Sequence, residues 1–306
     1  MDLPATIDAE DAVLSRLTDL GYRFTRPLVT PKSYCETPST TRLRKGIVLD
    51  TETTGLDPLA DNIIELGMVV FEYSPDTGQL YSVIEVFNHL EDPGKPIPPE
   101  STKIHGISDD MVRGKKIDDE TVAALLAGAS LVIAHNARFD RPFVESRLSA
   151  FSKLPWACSL AQLPWKDEGI SSASLEFLAY RFGFHFDGHR ASNDCLALLE
   201  ILSGVLPDTG RKVMKTLLEG ARAIDLNVSA LNSPFESKDV LKARGYRWNP
   251  EQKVWSGIVA ETDLQREKAW LKEFVYGGRV GRLEVEKVDA YTRFSARKGS
   301  VELQSC

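Results

Sequence analysis

In the run Val48-Leu49-Asp50-Thr51-Glu52-Thr53-Thr54-Gly55-Leu56-Asp57-Pro58, two carboxylates stand one residue apart and the chain then turns. Residues 46–49 are apolar and read as a buried strand, so alternation sends Asp50 and Glu52 to one face at adjacent positions. Desolvated carboxylates held this close repel, and they call for a proton or a cation. Oxygen-only donors on a rigid strand suit a hard divalent ion such as Mg²⁺ or Mn²⁺, which keeps positions open for phosphate oxygens and water. Taken alone, the tripeptide equally fits a capped surface strand closed by a Gly55/Pro58 turn.

More acids fall where they could join this pair. Asp140 lies just beyond a second apolar run, Leu131 to Ala134, near the first turn of a helix. His189 and Asp194 are five residues apart, a rotation of about 500° on a helix, so both cannot be helical and share a face. His189 therefore belongs to the loop after Gly188, with Asp194 one turn inside the helix that follows. Four acids on three elements with a loop histidine describe a two-metal phosphoryl-transfer site. Two ions roughly 4 Å apart acidify a water, hold a phosphate and stabilise a departing 3′ oxygen. An imidazole with a pKa near 6.5 suits taking the proton from that water. Each residue also has a plain reading: Asp194 as a helix-surface acid, His189 as a turn residue, Asp140 as a first-turn acid favoured by the helix dipole. His105 reads as a satisfied structural histidine near a helix end.

The elements that must position these groups follow from pattern. Val13, Leu14, Leu17 and Leu20 predict an amphipathic N-terminal helix capped by Asp8 or Asp11, with its apolar face packed on the main domain. Residues 24–45, rich in Pro and Ser/Thr, read as a linker without regular structure. Residues 63–73 and 80–87 form a hairpin around the Pro75-Asp76-Thr77-Gly78 turn. A short helix ends at Gly106, and Asp118 or Asp119 caps another running to about Gly128. Helices at about 137–150 and 175–182 and an apolar stretch at 196–202 complete an α/β fold, a mixed sheet covered by helices.

The motifs resemble the DnaQ-like exonucleases of the DEDDh type, the family that includes the epsilon proofreading subunit of bacterial DNA polymerase III. The first motif stands as Asp50-Thr-Glu52-Thr-Thr-Gly55, the second as His135-Asn136-Ala-Arg-Phe139-Asp140, and the third as His189-x-x-x-x-Asp194. Ile64-Glu65-Leu66-Gly67, Ile104-His105-Gly106-Ile107 and Trp156-Ala157-Cys158-Ser159-Leu160 match in order and spacing. The resemblance covers about residues 46–205. It implies a ribonuclease-H-like fold and metal-dependent 3′ to 5′ removal of nucleoside 5′-monophosphates. Asp50, Glu52 and Asp194 would hold one Mg²⁺ or Mn²⁺ ion, Asp50 and Asp140 a second, and His189 would be the general base. Thr53, Leu56 and Asn136 would position the terminal nucleotide. A sister subtype places a tyrosine four residues before the last aspartate; Arg190 stands there, which favours the histidine branch.

The implied boundaries are an N-terminal helix and linker at 1–45, an exonuclease domain at 46–207, a connecting helix and linker at 208–232, a small Trp-containing α+β module at 233–276 and an extension at 277–306. In the module Trp248, Trp255 and Trp270 read as a small core. Lys238, Lys242, Arg244 and Arg247 among the aromatics could grip a single strand. Residues 280–294 add a strand, and the last residues read as loose.

At 306 residues and 42% hydrophobic content the chain can bury one main core and a smaller one. No apolar stretch reaches transmembrane length and the first residues lack a signal-peptide pattern, so a cytoplasmic protein without a membrane partner is expected. Cys35, Cys158, Cys195 and Cys306 are too scattered for a zinc site or a disulfide framework. The net charge of −7 hides an asymmetry: residues 1–210 carry 19 Lys and Arg against 31 Asp and Glu, and residues 211–306 carry 18 against 13. The expected partner is nucleic acid, a single-stranded or frayed DNA 3′ end before RNA. Trimming of RNA, docking to a DNA polymerase as a proofreading subunit, and a non-catalytic binding module are the competing readings; a stand-alone repair or turnover enzyme is favoured.

Overall fold

The computed structural model describes residues 4–38 and 41–306, with side chains from residue 12 onward. Five strands, β1 (Arg44–Thr53), β2 (Ile63–Tyr73), β3 (Leu80–Leu90), β4 (Ala129–Ala134) and β5 (Trp156–Cys158), form a mixed sheet in the order β3-β2-β1-β4-β5. β2 and β3 form the expected antiparallel hairpin, while β4 runs parallel to β1 and β5 parallel to β4.

Alternation along β1 divides the core. Ile47 and Leu49, with Leu66, Met68 and Val132, pack under Phe143 and Val144 of the helix Ala137–Arg147. Val48, with Val69, Leu131 and Ile133, packs under Leu198, Ile201 and Leu202 of the helix Ala191–Ser203. Covering both faces explains why these strands read as continuous apolar runs. This is the ribonuclease-H-like arrangement of sheet and helices. Gly106 closes the helix Pro99–His105 with φ +70°, and the Asp118 side chain accepts the Thr121 N–H at the start of Asp119–Leu126.

Several expectations are corrected. The N-terminal helix exists as Pro4–Asp19, but Val13, Leu14 and Leu20 stay exposed, so its short apolar stripe does not pack on the main body. The capping expected of Asp8 or Asp11 lies outside the described side chains, as do Ser39 and Thr40 of the Ser/Thr run and the first three residues. The linker is strapped down. Arg26–Pro27 pairs with Phe184–His185, the Val83 N–H donates to the Lys32 carbonyl, and the Tyr34 N–H donates to the Tyr81 carbonyl. Prolines disfavour helix but leave a chain free to hydrogen-bond along a sheet edge.

A second sheet follows. It comprises β6 (Asp225–Leu231), β7 (Arg247–Asn249), β8 (Val254–Ala260), β9 (Arg282–Val288) and β10 (Val301–Ser305), antiparallel in the order β10-β9-β6-β8-β7. The stretch expected to connect at 208–232 thus holds a helix, Val213–Arg222, and the central strand β6. The tail expected to be loose pairs as β10. Leu226, Val228, Ala230, Leu283 and Val285 face Leu241, Leu271 and Val275, with Tyr246 buried among them. Trp255 and Trp270 flank this core and Trp248 is half exposed, so aliphatic residues and Tyr246 fill it rather than the tryptophans.

The loop between β9 and β10 returns to the first sheet. Arg141, fully buried, donates to the carbonyls of Ala290 (3.1 Å), Tyr291 (2.6 Å) and Arg293 (2.6 Å), and the Trp156 N–H donates to Ala290 at 2.8 Å. No helix among the described residues is long and apolar enough to cross a membrane.

Candidate active site

The division of faces along β1 builds the site. Asp50 and Glu52 share the parity of Val48 and lean toward the helix carrying Asp194, while Thr51 shares that of Leu49 and meets the helix carrying Asp140. Asp50, Glu52 and Asp194 each present an oxygen within 4.8 Å of the others. Asp140 stands beside this trio: its Oδ1 accepts the Thr51 N–H at 3.1 Å and the Thr51 hydroxyl at 2.8 Å. All four acids line one cleft of about 500 Å³ together with Asn136, His189 and Glu176.

The cleft is electrostatically unbalanced. Burial, then the neighbouring Asp140 and Asp194, push the Asp50 carboxyl well above its usual range. Burial is also the first cause for Glu52, raised to about 8, Asp140, raised to about 7, and Asp194, raised to about 6. Among the described residues no Lys or Arg forms an ion pair with any of the four. An oxygen-only cluster with surplus negative charge and no cationic partner fits a divalent ion of the Mg²⁺ or Mn²⁺ type.

His189 occupies the left-handed region at φ +61°, and its half-exposed imidazole places Nε2 3.9 Å from Glu176 Oε1. That conformation is held from both sides. The Asn193 amide donates to the Asp187 carbonyl at 2.9 Å. Fully buried Glu65 takes Arg190 Nη2 at 2.7 Å and the Ala191 N–H at 3.1 Å, and Asn88 donates to it at 2.9 Å. Burial alone would raise the Glu65 carboxyl, but the donations from Arg190, Asn88 and Ala191 outweigh it and hold the group low. Gly67 lets the Asp194 helix approach β2, since a Cβ there would sit 2.4 Å from the Ala191 carbonyl carbon.

The supporting roles of Glu65, Thr51 and Arg190 escaped the sequence reading, although Glu65 stood in a matching motif. The signal for Glu65 was present: a lone carboxylate inside the apolar run 63–71 must have a partner. Of the expected nucleotide-positioning residues, Asn136 is exposed in the cleft with φ +77°. Thr53 is buried and donates to the Gly55 carbonyl at 2.6 Å, and Leu56 is 84% exposed on the following turn; neither lines the cleft. His135 is a tether between the Ser159 hydroxyl (2.8 Å) and the Ala173 carbonyl (2.7 Å). His105 is buried with Nδ1 accepting the Ile107 N–H at 3.0 Å, but its Nε2 has no hydrogen-bond partner among the described residues, so the histidine expected to be fully satisfied is satisfied on one side only.

The exonuclease (RNase T) family model matches residues 47–202, just over half of the chain and the whole of this site. The chain belongs to that exonuclease family. Its exonuclease segment is similar to DNA polymerase III subunit epsilon of Treponema pallidum, 32% identical over 166 residues that cover 51% of this chain and 74% of that protein. It is also similar to the PolC-type DNA polymerase III of Thermotoga maritima, 31% identical over 164 residues that cover 51% of this chain but 11% of that protein. Among solved structures, exonuclease X in complex with 5′ overhanging duplex DNA is 26% identical at a TM-score of 0.42, covering 56% of this chain and 97% of that one. The second sheet lies outside the matched exonuclease residues.

Proposed function

We propose that this exonuclease hydrolyses phosphodiester bonds at the 3′ end of single-stranded or frayed DNA, in the 3′ to 5′ direction, releasing nucleoside 5′-monophosphates. The observation that carries the reading is the convergence of the Asp50, Glu52 and Asp194 oxygens within 4.8 Å in a cleft that also holds His189. Asp50, Glu52 and Asp194 would hold one Mg²⁺ or Mn²⁺ and Asp50 with Asp140 a second, supplying an acidified water and charge neutralisation at the phosphate.

The chain's own groups do the rest. His189, kept in the cleft by the Glu65–Arg190 pair and the Asn193 bond, takes the proton from the attacking water. Attack on phosphorus breaks the bond to the 3′ oxygen, leaving a strand one nucleotide shorter with a new 3′ hydroxyl. Asn136 at the cleft orients the terminal nucleotide, together with the backbone at Thr53, the last residue of β1, and the exposed Leu56 side chain on the turn that follows. DNA is favoured because the similar proteins are a DNA polymerase III subunit and a PolC-type DNA polymerase III.

The test is degradation of 3′- and 5′-labelled single-stranded DNA and matched RNA with Mg²⁺, Mn²⁺ or EDTA, by the wild type, Asp50→Ala and His189→Ala. Stepwise 3′ shortening of DNA, abolished by EDTA and by either substitution, is expected. Cleavage untouched by Asp50→Ala would overturn the metal assignment, and preferential shortening of RNA would overturn the substrate assignment.

A further inference from the structure

A second groove in the described structure exceeds the catalytic cleft in volume. It has a volume of about 810 Å³ and opens where the first sheet meets the loop between β9 and β10. It sits at the opposite end of the parallel strands: Arg44 begins β1, whereas Asp50 and Glu52 lie near its end. Four cationic side chains line it, namely Arg42, Arg44, Lys153 and Arg222. All four are exposed, and none forms an ion pair among the described residues. Asp76 and Asp289 are the acids of the lining. Asp289 is occupied, accepting the Tyr291 N–H at 2.9 Å.

This accumulation runs against the charge of its surroundings, because residues 1–210, which supply three of the four cations, carry 31 acids against 19 bases. Unpaired like charges brought together on an acidic body repel one another, and a polyanion relieves that cost. The wall also offers an exposed aromatic ring on a well-held stretch of backbone. Tyr291 leaves 52% of its surface open, while its backbone carbonyl is held by Arg141 at 2.6 Å and Arg297 at 2.9 Å. Cations at a groove wall beside an exposed aromatic ring are what a single strand needs: phosphate contact and a stacking surface.

We propose that this groove binds the phosphodiester backbone of a single nucleic-acid strand, with Tyr291 stacking a base. The site is separate from the cleft that holds the 3′ end, and its role as a second hold on the substrate rests on the exonuclease reading above. Six residues of β1 separate Arg44 from Asp50, about 20 Å at roughly 3.3 Å each. At about 3.4 Å per stacked nucleotide, a strand needs at least about six nucleotides beyond its 3′ end to occupy both sites.

The experiment uses the full chain and the variants Arg44→Gln/Lys153→Gln and Tyr291→Leu. Binding of a labelled oligothymidylate of roughly 20 nucleotides is followed by fluorescence anisotropy in EDTA across a salt series, and hydrolysis of a strand of roughly four nucleotides is followed in Mg²⁺. The double variant should bind the long strand about tenfold or more weakly, with a salt slope smaller by about 1.4, two contacts at about 0.7 each. Tyr291→Leu should weaken it about fivefold. Hydrolysis of the short strand should equal that of the wild type, which also reports an intact fold. Unchanged affinity and salt slope in the double variant would overturn the proposal. Displacement of the long strand by AMP at equal phosphate concentration from the wild type but not from the double variant would make the groove a mononucleotide pocket and overturn the strand assignment. A wild type that hydrolyses neither strand, yet loses long-strand binding in the double variant, would overturn the exonuclease reading and uphold the groove.

Discussion

Replacing Asp194 with Asn should stabilise the metal-free protein while abolishing its nuclease activity. Asp194 titrates near 3.8 when unperturbed and near 6 in the fold, first because of burial. A carboxyl whose folded pKa is raised binds more protons folded than unfolded between those values, so stability falls as pH rises from about 4 to 6 and stays lower above that. Roughly two units at about 1.4 kcal/mol each put the cost of the ionised group near 3 kcal/mol. Asn removes that charge but accepts less well from the His189 and Arg190 N–H groups that face the carboxylate, so the net gain at pH 8 is about 1–3 kcal/mol. For a body of this size that is about 3–10 °C in melting temperature. Differential scanning calorimetry in EDTA at pH 8, 6 and 4 is the assay. The advantage of Asp194→Asn should be largest at pH 8 and vanish toward pH 4. Millimolar Mg²⁺ should then raise the melting temperature of the wild type more than that of the variant, which keeps only the Asp50 and Asp140 ligands of the second ion intact, because ion binding stabilises only the state that holds the ion. A variant no more stable than the wild type at pH 8 in EDTA would refute the reasoning, since the buried Asp194 carboxylate would then carry no desolvation cost for a cation to relieve.

Two other substitutions test the supports behind the acids. Gly67→Ala inserts a methyl 2.4 Å from the Ala191 carbonyl carbon and must push back the helix that carries Asp194. It should cost about 1–3 kcal/mol in urea denaturation and lower kcat more than it raises KM; wild-type kcat would show that this approach does not set the site. Arg141→Ala, on the helix that also carries Asp140, strips a donor from the carbonyls of Ala290, Tyr291 and Arg293. A loss of about 3–5 kcal/mol is expected by the same measurement, and a loss under about 1 kcal/mol would mean that the loop between β9 and β10 does not brace the first sheet.

How much of this was legible follows from the range of the interactions involved. Asp50, Glu52, Asp140, His189 and Asp194 could be found because their spacing obeys local rules: period two on a strand, the first turn of a helix, a rotation that forbids His189 and Asp194 from sharing one. The hairpin of β2 and β3 was likewise declared by its own turn residues. The fate of the tail was not local. Whether residues 301–305 pair with β9 depends on β9 first pairing with β6, which lies some fifty residues earlier in the chain and supplies the centre of a sheet that no single segment announces. Arg141 has the same character. In sequence it is one more base beside Asp140, and only the return of residues 290–293 turns it into a buried brace.

The support of the active site lies between these extremes, and Thr51 explains why. Alternation sends Asp50 and Glu52 to one side of β1 and Thr51 to the other, so the residue between the two metal-binding candidates could not join their cluster. It instead fixes Asp140 by donating both its N–H and its hydroxyl. One tripeptide therefore reaches acids on two helices packed against opposite faces of the sheet, Asp194 on one and Asp140 on the other. Valine at position 51 would keep the strand, the parity and the backbone donor, and would lose only the hydroxyl. If the account is right, Thr51→Val folds normally and lowers kcat without changing the dependence of rate on substrate concentration, because Asp140 loses its orientation while the cleft keeps its shape. An unchanged kcat in that variant would mean that the backbone N–H alone holds Asp140, and that the hydroxyl serves the strand rather than the site.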